Sequence, residues 1–299
     1  MEADRAFSAQ KHARSQWSSR VCTSALPLTR AAWHFLSGKR ALVDRCAAAV
    51  APGALALDIG CGDGAYSHWF LGRARRASVA AVDWSVDGLR RVAPSKRGRI
   101  MRVCADARLL PFKPAVFDAV FTVDTLGHVR RPEAMLDEIV RTAKPGAFCA
   151  VHSECCDYRE RWPDRALIRA LGRDVPAELD GHVSLRTSTE LHHLYARRFK
   201  VAAFYSPAGR LGWLTGYPEK YRPAFAAARW RTPAVLCAVM SAVKRTPGPG
   251  LLLRLFNAAT NHFELFLGLT GGGSCFAFLR APSRAEPGVP PPIPGPHHD

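Results

Sequence analysis

The stretch Leu57-Asp58-Ile59-Gly60-Cys61-Gly62-Asp63-Gly64 decides how the rest of the chain is read. An apolar run, Ala54–Ile59, leads into it, and a helical pattern, Tyr66–Ala74, leads out. Glycines between a strand and a helix let a ligand approach the backbone where a side chain would stand in the way. That pattern alone is common, but two acids further on make it specific. Asp83 ends the next apolar run, in Ala81-Val82-Asp83-Trp84-Ser85, and Asp106 follows the third, in Cys104-Ala105-Asp106-Ala107-Arg108. An acid at the end of a second strand can hold two ribose hydroxyls, as it does in dinucleotide-binding folds. Asp58 stands two residues before Gly60, where those folds carry an apolar residue, and an acid after the third strand is foreign to the nicotinamide pattern.

Working outward, Ser78–Asp83, Ile100–Cys104, Val116–Val123 and Ala147–His152 read as further strands. Val86–Val92 and Pro132–Ala143 read as helices between them, with Pro145-Gly146 ending the second. Strand–helix alternation predicts a parallel sheet with right-handed crossovers. Thr189–Arg198 then reads as a helix, Phe199–Tyr205 as a strand and Ser274–Leu279 as a last strand, while Glu154–Ser184 reads as irregular and charged.

With these residues in place, the chain resembles the class I S-adenosylmethionine-dependent methyltransferases of the broad small-molecule type. Asp58, Gly60, Gly62 and Gly64 match the family's first motif, Asp83 its ribose acid and Asp106 its adenine-contacting acid. Phe117-Asp118-Ala119-Val120 matches its fourth strand, and Ala143-Lys144-Pro145-Gly146-Ala147 matches the turn before its fifth. The resemblance implies an α/β fold: a Rossmann-like, seven-stranded, mostly parallel sheet with an antiparallel last strand and helices on both faces, to which the insertion before the last strand adds a helical cap. It implies S-adenosyl-L-methionine as cofactor, held by Asp58, Gly60, Cys61, Gly62, Gly64, Asp83, Trp84, Asp106, Ala107 and Asp124. The cofactor carries a sulfonium and no phosphate, so its loop needs close backbone approach more than a helix dipole aimed at an anion.

A general base is required only where the acceptor keeps its proton at neutral pH. His128, His152 and His182 are the candidates. His128 follows the fourth strand, His152 lies at the carboxyl end of the fifth, where open parallel sheets place ligands, and His182 precedes the Thr189 helix. Each has a competing reading as a packing residue. His192 and His193 read as surface and packing residues, and the resemblance implies that Trp33 and His34 belong to an N-terminal helix covering the cofactor.

The expected organisation is an N-terminal helical segment at 1–50, a cofactor-binding core at 51–206, a helical cap at 207–272, the last core strand at 273–281 and a disordered, proline-rich tail at 282–299. In the cap, Arg254, Asn257, Asn261 and Glu264 form a narrow polar stripe on an otherwise apolar helix, with Leu252, Phe256, Ala259, Phe263 and Phe266 opposite. Thr232–Val243 reads as a second apolar helix. The pair either packs on the core around a hydrophobic small molecule, meets a membrane surface through 232–269, or forms a homodimer interface.

The formal charge is +17, from 42 Lys+Arg against 25 Asp+Glu. Such a balance can signal nucleic acid, but Arg is spread over nearly every segment and no RNA-binding module or base-stacking motif is visible. Nine Cys without a CxxC pair, and a polar start at Met1–Arg20, point to reduced thiols in a cytoplasm, with peripheral membrane association left open. Cys and His are scattered, so no metal site is expected. The expected function is methyl transfer to a small hydrophobic or amphiphilic acceptor through an O, N or C nucleophile. RNA, protein, and membrane lipid or quinone-like acceptors are the alternatives.

Overall fold

The computed structural model describes residues 38–97, 99–207, 209–266 and 271–283. Trp33, His34 and most of the segments at 1–50 and 282–299 lie outside them. The elements run α1 (Lys39–Ala48), β1 (Leu55–Ile59), α2 (Ala65–Leu71), β2 (Ser78–Asp83), α3 (Val86–Arg90), β3 (Arg99–Cys104), β4 (Phe117–Val123), α4 (Pro132–Thr142), β5 (Ala143–Glu154), α5 (Asp164–Leu171), α6 (Val175–Asp180), α7 (Ser188–Ala196), β6 (Lys200–Tyr205), α8 (Pro218–Ala227), α9 (Arg231–Arg245), α10 (Pro247–Phe266) and β7 (Ser274–Arg280).

One seven-stranded sheet has the order β3-β2-β1-β4-β5-β7-β6. The first five strands are parallel, and β7 is antiparallel to both β5 and β6. Strand order reverses between β1 and β4, so the carboxyl ends of these strands frame a crevice. The sheet buries both faces, as a parallel sheet covered by helices must. On one side Leu57, Val120, Val151 and Leu279 pack with Met135, Leu136 and Ile139 of α4 and Tyr195 of α7. On the other, Ala56, Phe121 and Phe278 pack with Leu42 and Val43 of α1 and Phe70 of α2.

Two sequence expectations need correction. Pro145-Gly146 does not separate α4 from β5; the helix ends at Thr142 and the turn residues form the bulged start of the strand. The bulge, between the pairs Phe117–Ala143 and Ala119–Phe148, accommodates a proline that cannot donate to the ladder. The segment Glu154–Ser184 is not simply irregular, since it contains α5 and α6. Leu167 of α5 and Val175 at the start of α6 join Trp213, Ala224, Phe225 and Cys237 in a cluster of their own. The cap is therefore made of two pieces of chain, tied by Tyr221 Oη donating to Asp164 (2.8 Å) and by Lys220 pairing with Asp180 (2.6 Å).

The cap helices turn their apolar surface outward. On α9, Val235, Leu236 and Val239 are exposed; on α10, Leu252, Leu255, Phe256 and Phe263 are exposed. Asn257, from the polar stripe, instead faces inward and accepts from Thr215 Oγ1 at 2.7 Å.

Candidate active site

The glycine loop sits on β1 and is braced by its neighbours. Gly60 N–H and Cys61 N–H both donate to the Val82 carbonyl, at 2.8 and 3.0 Å. Gly60 has φ +73°, and a Cβ there would lie 2.0 Å from Thr125 Oγ1. Glycine is thus required both by the left-handed backbone and by the close approach of the chain leaving β4. Cys61 is buried and its thiol contacts the Gly62 carbonyl at 3.8 Å.

Three predicted acids line the carboxyl ends of β1 to β3. Asp83 Oδ2 accepts from Gly62 N–H at 2.8 Å and Oδ1 from Ser85 N–H at 2.7 Å. The carboxylate is clamped to the loop, and each oxygen keeps a lone pair. Asp58 lies beneath the loop, 2% exposed, accepting from Ser67 Oγ at 2.6 Å. Burial, helped by the nearby Asp83 charge, pushes its carboxyl up to about 7 against the Ser67 hydrogen bond. Asp106 is held by Arg108 through Nε (3.0 Å) and Nη2 (2.6 Å). Burial would raise its carboxyl, but Arg108 outweighs burial and holds it below the ordinary range. The Arg108 guanidinium stands 5.8 Å from the centre of the Trp84 ring, closing the wall between β2 and β3. Ala107 follows Asp106 in the turn that leads to this arginine.

Across the crevice the predicted histidines separate into two groups. His152 joins Asp124 and Lys39. Its Nδ1 lies 2.7 Å from Asp124 Oδ1, and the Lys39 ammonium pairs with Oδ2. Asp124 adopts φ +58°, a left-handed conformation that Asp tolerates better than most residues. Against the burial that would raise it, Lys39 and His152 hold its carboxyl well below the usual carboxylate range. The His152 ring meets Phe276 edge-on at 4.6 Å. This triad ties α1 to the ends of β4 and β5.

His128 and His182 form the second group, with Glu154. A short 3-10 turn (Leu126–His128) follows β4, and its His128 Nδ1 lies 3.1 Å from the Gly181 carbonyl. The two imidazole rings face each other at 4.7 Å, and His182 Nε2 lies 3.5 Å from Glu154 Oε1. Burial and the Asp124 charge push the Glu154 carboxyl up; His182 and His128 outweigh them and bring it below its ordinary value. Residues that looked scattered in the sequence thus meet at one corner of the crevice. His192 and His193 are exposed on α7, and Asp118 accepts from Leu55 N–H and pairs with Lys144, a structural role.

Lys39, Ser67, Arg108 and Glu154 were not legible as site residues. For Glu154 a signal existed: it closes β5, and the carboxyl-end rule that singled out His152 applies equally two residues later. The other three are recruited by tertiary or turn contacts that leave no periodic trace.

Residues 57–151 match the family model described as a methyltransferase domain. A demethylmenaquinone methyltransferase from Renibacterium salmoninarum is 34% identical over 113 residues, covering 38% of this chain and 46% of the relative. Methyltransferase GfsG from Streptomyces halstedii is 26% identical over 151 residues, covering 48% and 50%. The chain spans about half the length of these curated relatives. Phosphoethanolamine N-methyltransferase 2 from Haemonchus contortus, solved in complex with S-adenosyl-L-methionine, shares the fold with a TM-score of 0.52 at 12% identity, over 92% of this chain and 60% of that one.

Proposed function

We propose that this chain, whose core is a class I S-adenosylmethionine-dependent methyltransferase domain, methylates a small apolar or amphiphilic acceptor that enters from the cap side. The observation that carries this reading is the division of one crevice into two halves. Acids and a glycine loop occupy the ends of β1 to β3, and a polar His128–Glu154–His182 cluster occupies the ends of β4 and β5. Asp83, already clamped to the loop, offers its remaining lone pairs to ribose hydroxyls. Asp106 and Arg108, with the Trp84 ring, border the base. Asp58 sets a negative potential beneath the loop that favours an ammonium above it. S-adenosylmethionine supplies a methyl group already activated on a sulfonium, so displacement depends mainly on alignment of the acceptor. The acceptor-side cluster orients the nucleophile and manages its proton.

The apolar surface of α9 and α10 favours an amphiphilic acceptor met at a lipid surface. Val235, Val239, Leu252, Phe256 and Phe263 are exposed, and Lys244 and Arg245 end α9. The name of the Renibacterium relative describes a quinone acceptor, in line with this reading. Arg141, Arg159 and Arg198 pair with Glu138, Asp174 and Asp137.

Calorimetric titration with S-adenosylmethionine is expected to show saturable binding that Asp83→Ala removes, and unchanged binding in that variant sinks the cofactor assignment. Transfer of labelled methyl into fractionated lipid, small-molecule and RNA pools then identifies the acceptor class; label confined to RNA overturns the acceptor reading.

A further inference from the structure

The corner formed by His128, Glu154 and His182 has the composition of a cation site. Each residue offers one ligand atom, and these atoms lie within 4.8 Å of one another. Around a first-row divalent ion with ligand distances of about 2.0–2.1 Å, neighbouring ligand atoms stand roughly 3.0–3.5 Å apart, so modest side-chain rotation closes the set. Three separate elements deliver the ligands: the turn after β4, the end of β5 and the segment between α6 and α7.

Three further observations point to a ligand at the same place. His128 is fixed through Nδ1, which lies 3.1 Å from the Gly181 carbonyl. Metal-ligating histidines ordinarily donate their second N–H to such a carbonyl. Glu154 Oε2 is buried without a hydrogen-bond partner among the described residues, although an unpaired buried carboxylate oxygen is costly. Residue 127 is glycine, and a Cβ there would come within 3.1 Å of Glu154 Oε2 and 3.2 Å of His182 Cδ2. The backbone is bare where the ligands converge.

We propose that His128, Glu154 and His182 bind a divalent transition-metal ion whose open positions receive an oxygen-bearing acceptor. Two imidazoles and one carboxylate on one side of an ion leave coordination positions free for such a ligand. The role of the ion, though not its binding, rests on the methyltransferase reading above. It specifies that reading: the acceptor is a chelating oxygen compound rather than an amine or a hydrocarbon.

Titration of the full chain with Co2+ alone, without cofactor or acceptor, tests the proposal through visible d–d absorption. One equivalent is expected to bind with nitrogen and oxygen ligation. Glu154→Gln and His182→Ala are each expected to weaken binding at least tenfold while S-adenosylmethionine binding persists, which reports that the variants are folded. Should Glu154→Gln lose its fold, His128→Gln provides the same test. Asp83→Ala is expected to do the reverse, keeping Co2+ and losing the cofactor. Absence of saturation at millimolar Co2+, affinity unchanged in the cluster variants, or a thiolate charge-transfer band from exposed Cys104 overturns the proposal. Variants that abolish methyl transfer in a protein that binds no Co2+ refute the cation and leave the methyltransferase reading intact. Normal Co2+ binding in a protein with no affinity for S-adenosylmethionine refutes that reading and leaves the cation site.

Discussion

The sheet and the cap use apolar residues in opposite ways. In the sheet, Phe121, Leu57 and Val151 lie within the two buried layers; on the cap helices, Val235, Leu252, Phe256 and Phe263 point to solvent while Asn257 points inward. Both regions show clear apolar patterning in the sequence. Periodicity therefore locates an apolar face but says nothing of what covers it. In the sheet the partner is the next strand or helix of the same chain. In the cap none of the described residues covers these side chains.

Mutations on the two sides sharpen this contrast, and the largest effect belongs to the sheet. Phe121→Ala is expected to destabilise the protein by about 3–5 kcal/mol, because its ring is fully buried and stacks on Phe70 at 5.3 Å. Chemical denaturation measures this, and a loss below 1 kcal/mol would break the comparison. Asp83→Ala comes next, with cofactor affinity falling at least about a hundredfold, near 2.7 kcal/mol, since it loses both the hydroxyl partner and the clamp on Gly62.

Lys39→Met is expected to cost about 1–2 kcal/mol, less than a fully buried pair because the Asp124 side chain is 37% exposed. The Asp124 carboxyl is depressed in the folded state, so its contribution is present above the ordinary carboxylate range and fades as pH falls through its folded value. Wild type and variant should converge in acid; a gap that widens there contradicts the pairing. Asp58 works with the opposite sign. Its carboxyl is raised to about 7, so its contribution to stability is present in acid, below the unfolded carboxyl value, and is lost as pH rises toward 7. An ammonium bound above it favours the ionised form, so S-adenosylmethionine affinity should climb several-fold between pH 5 and 7, and Asp58→Asn should flatten the climb.

The smallest stability effect is expected in the cap. Phe256→Ser should change the unfolding free energy by no more than about 0.5 kcal/mol, because the side chain is 52% exposed. Flotation with anionic vesicles should nevertheless drop several-fold, and unchanged flotation would remove the lipid-surface reading.

The sequence disclosed what repeats or sits at fixed offsets from a repeat. All seven strands, the glycine loop and the acids at 58, 83 and 106 were legible because strand ends position them. His128 and His182 were visible as candidates, but their meeting with Glu154 depends on where α6 returns the chain. The Lys39–Asp124 pair likewise depends on α1 crossing the ends of β4 and β5. The short helices α5 and α6 escaped notice because neither stands between two strands, the alternation that exposed the equally short α2 and α3.

The separate cluster in which Leu167 and Val175 meet Trp213, Phe225 and Cys237 has a consequence for anyone wishing to retarget the molecule. A graft that replaces only 207–272 would leave Leu167 and Val175 against a foreign surface. The transplantable unit is both pieces together, and exchanged together they can be redesigned without touching the loop on β1.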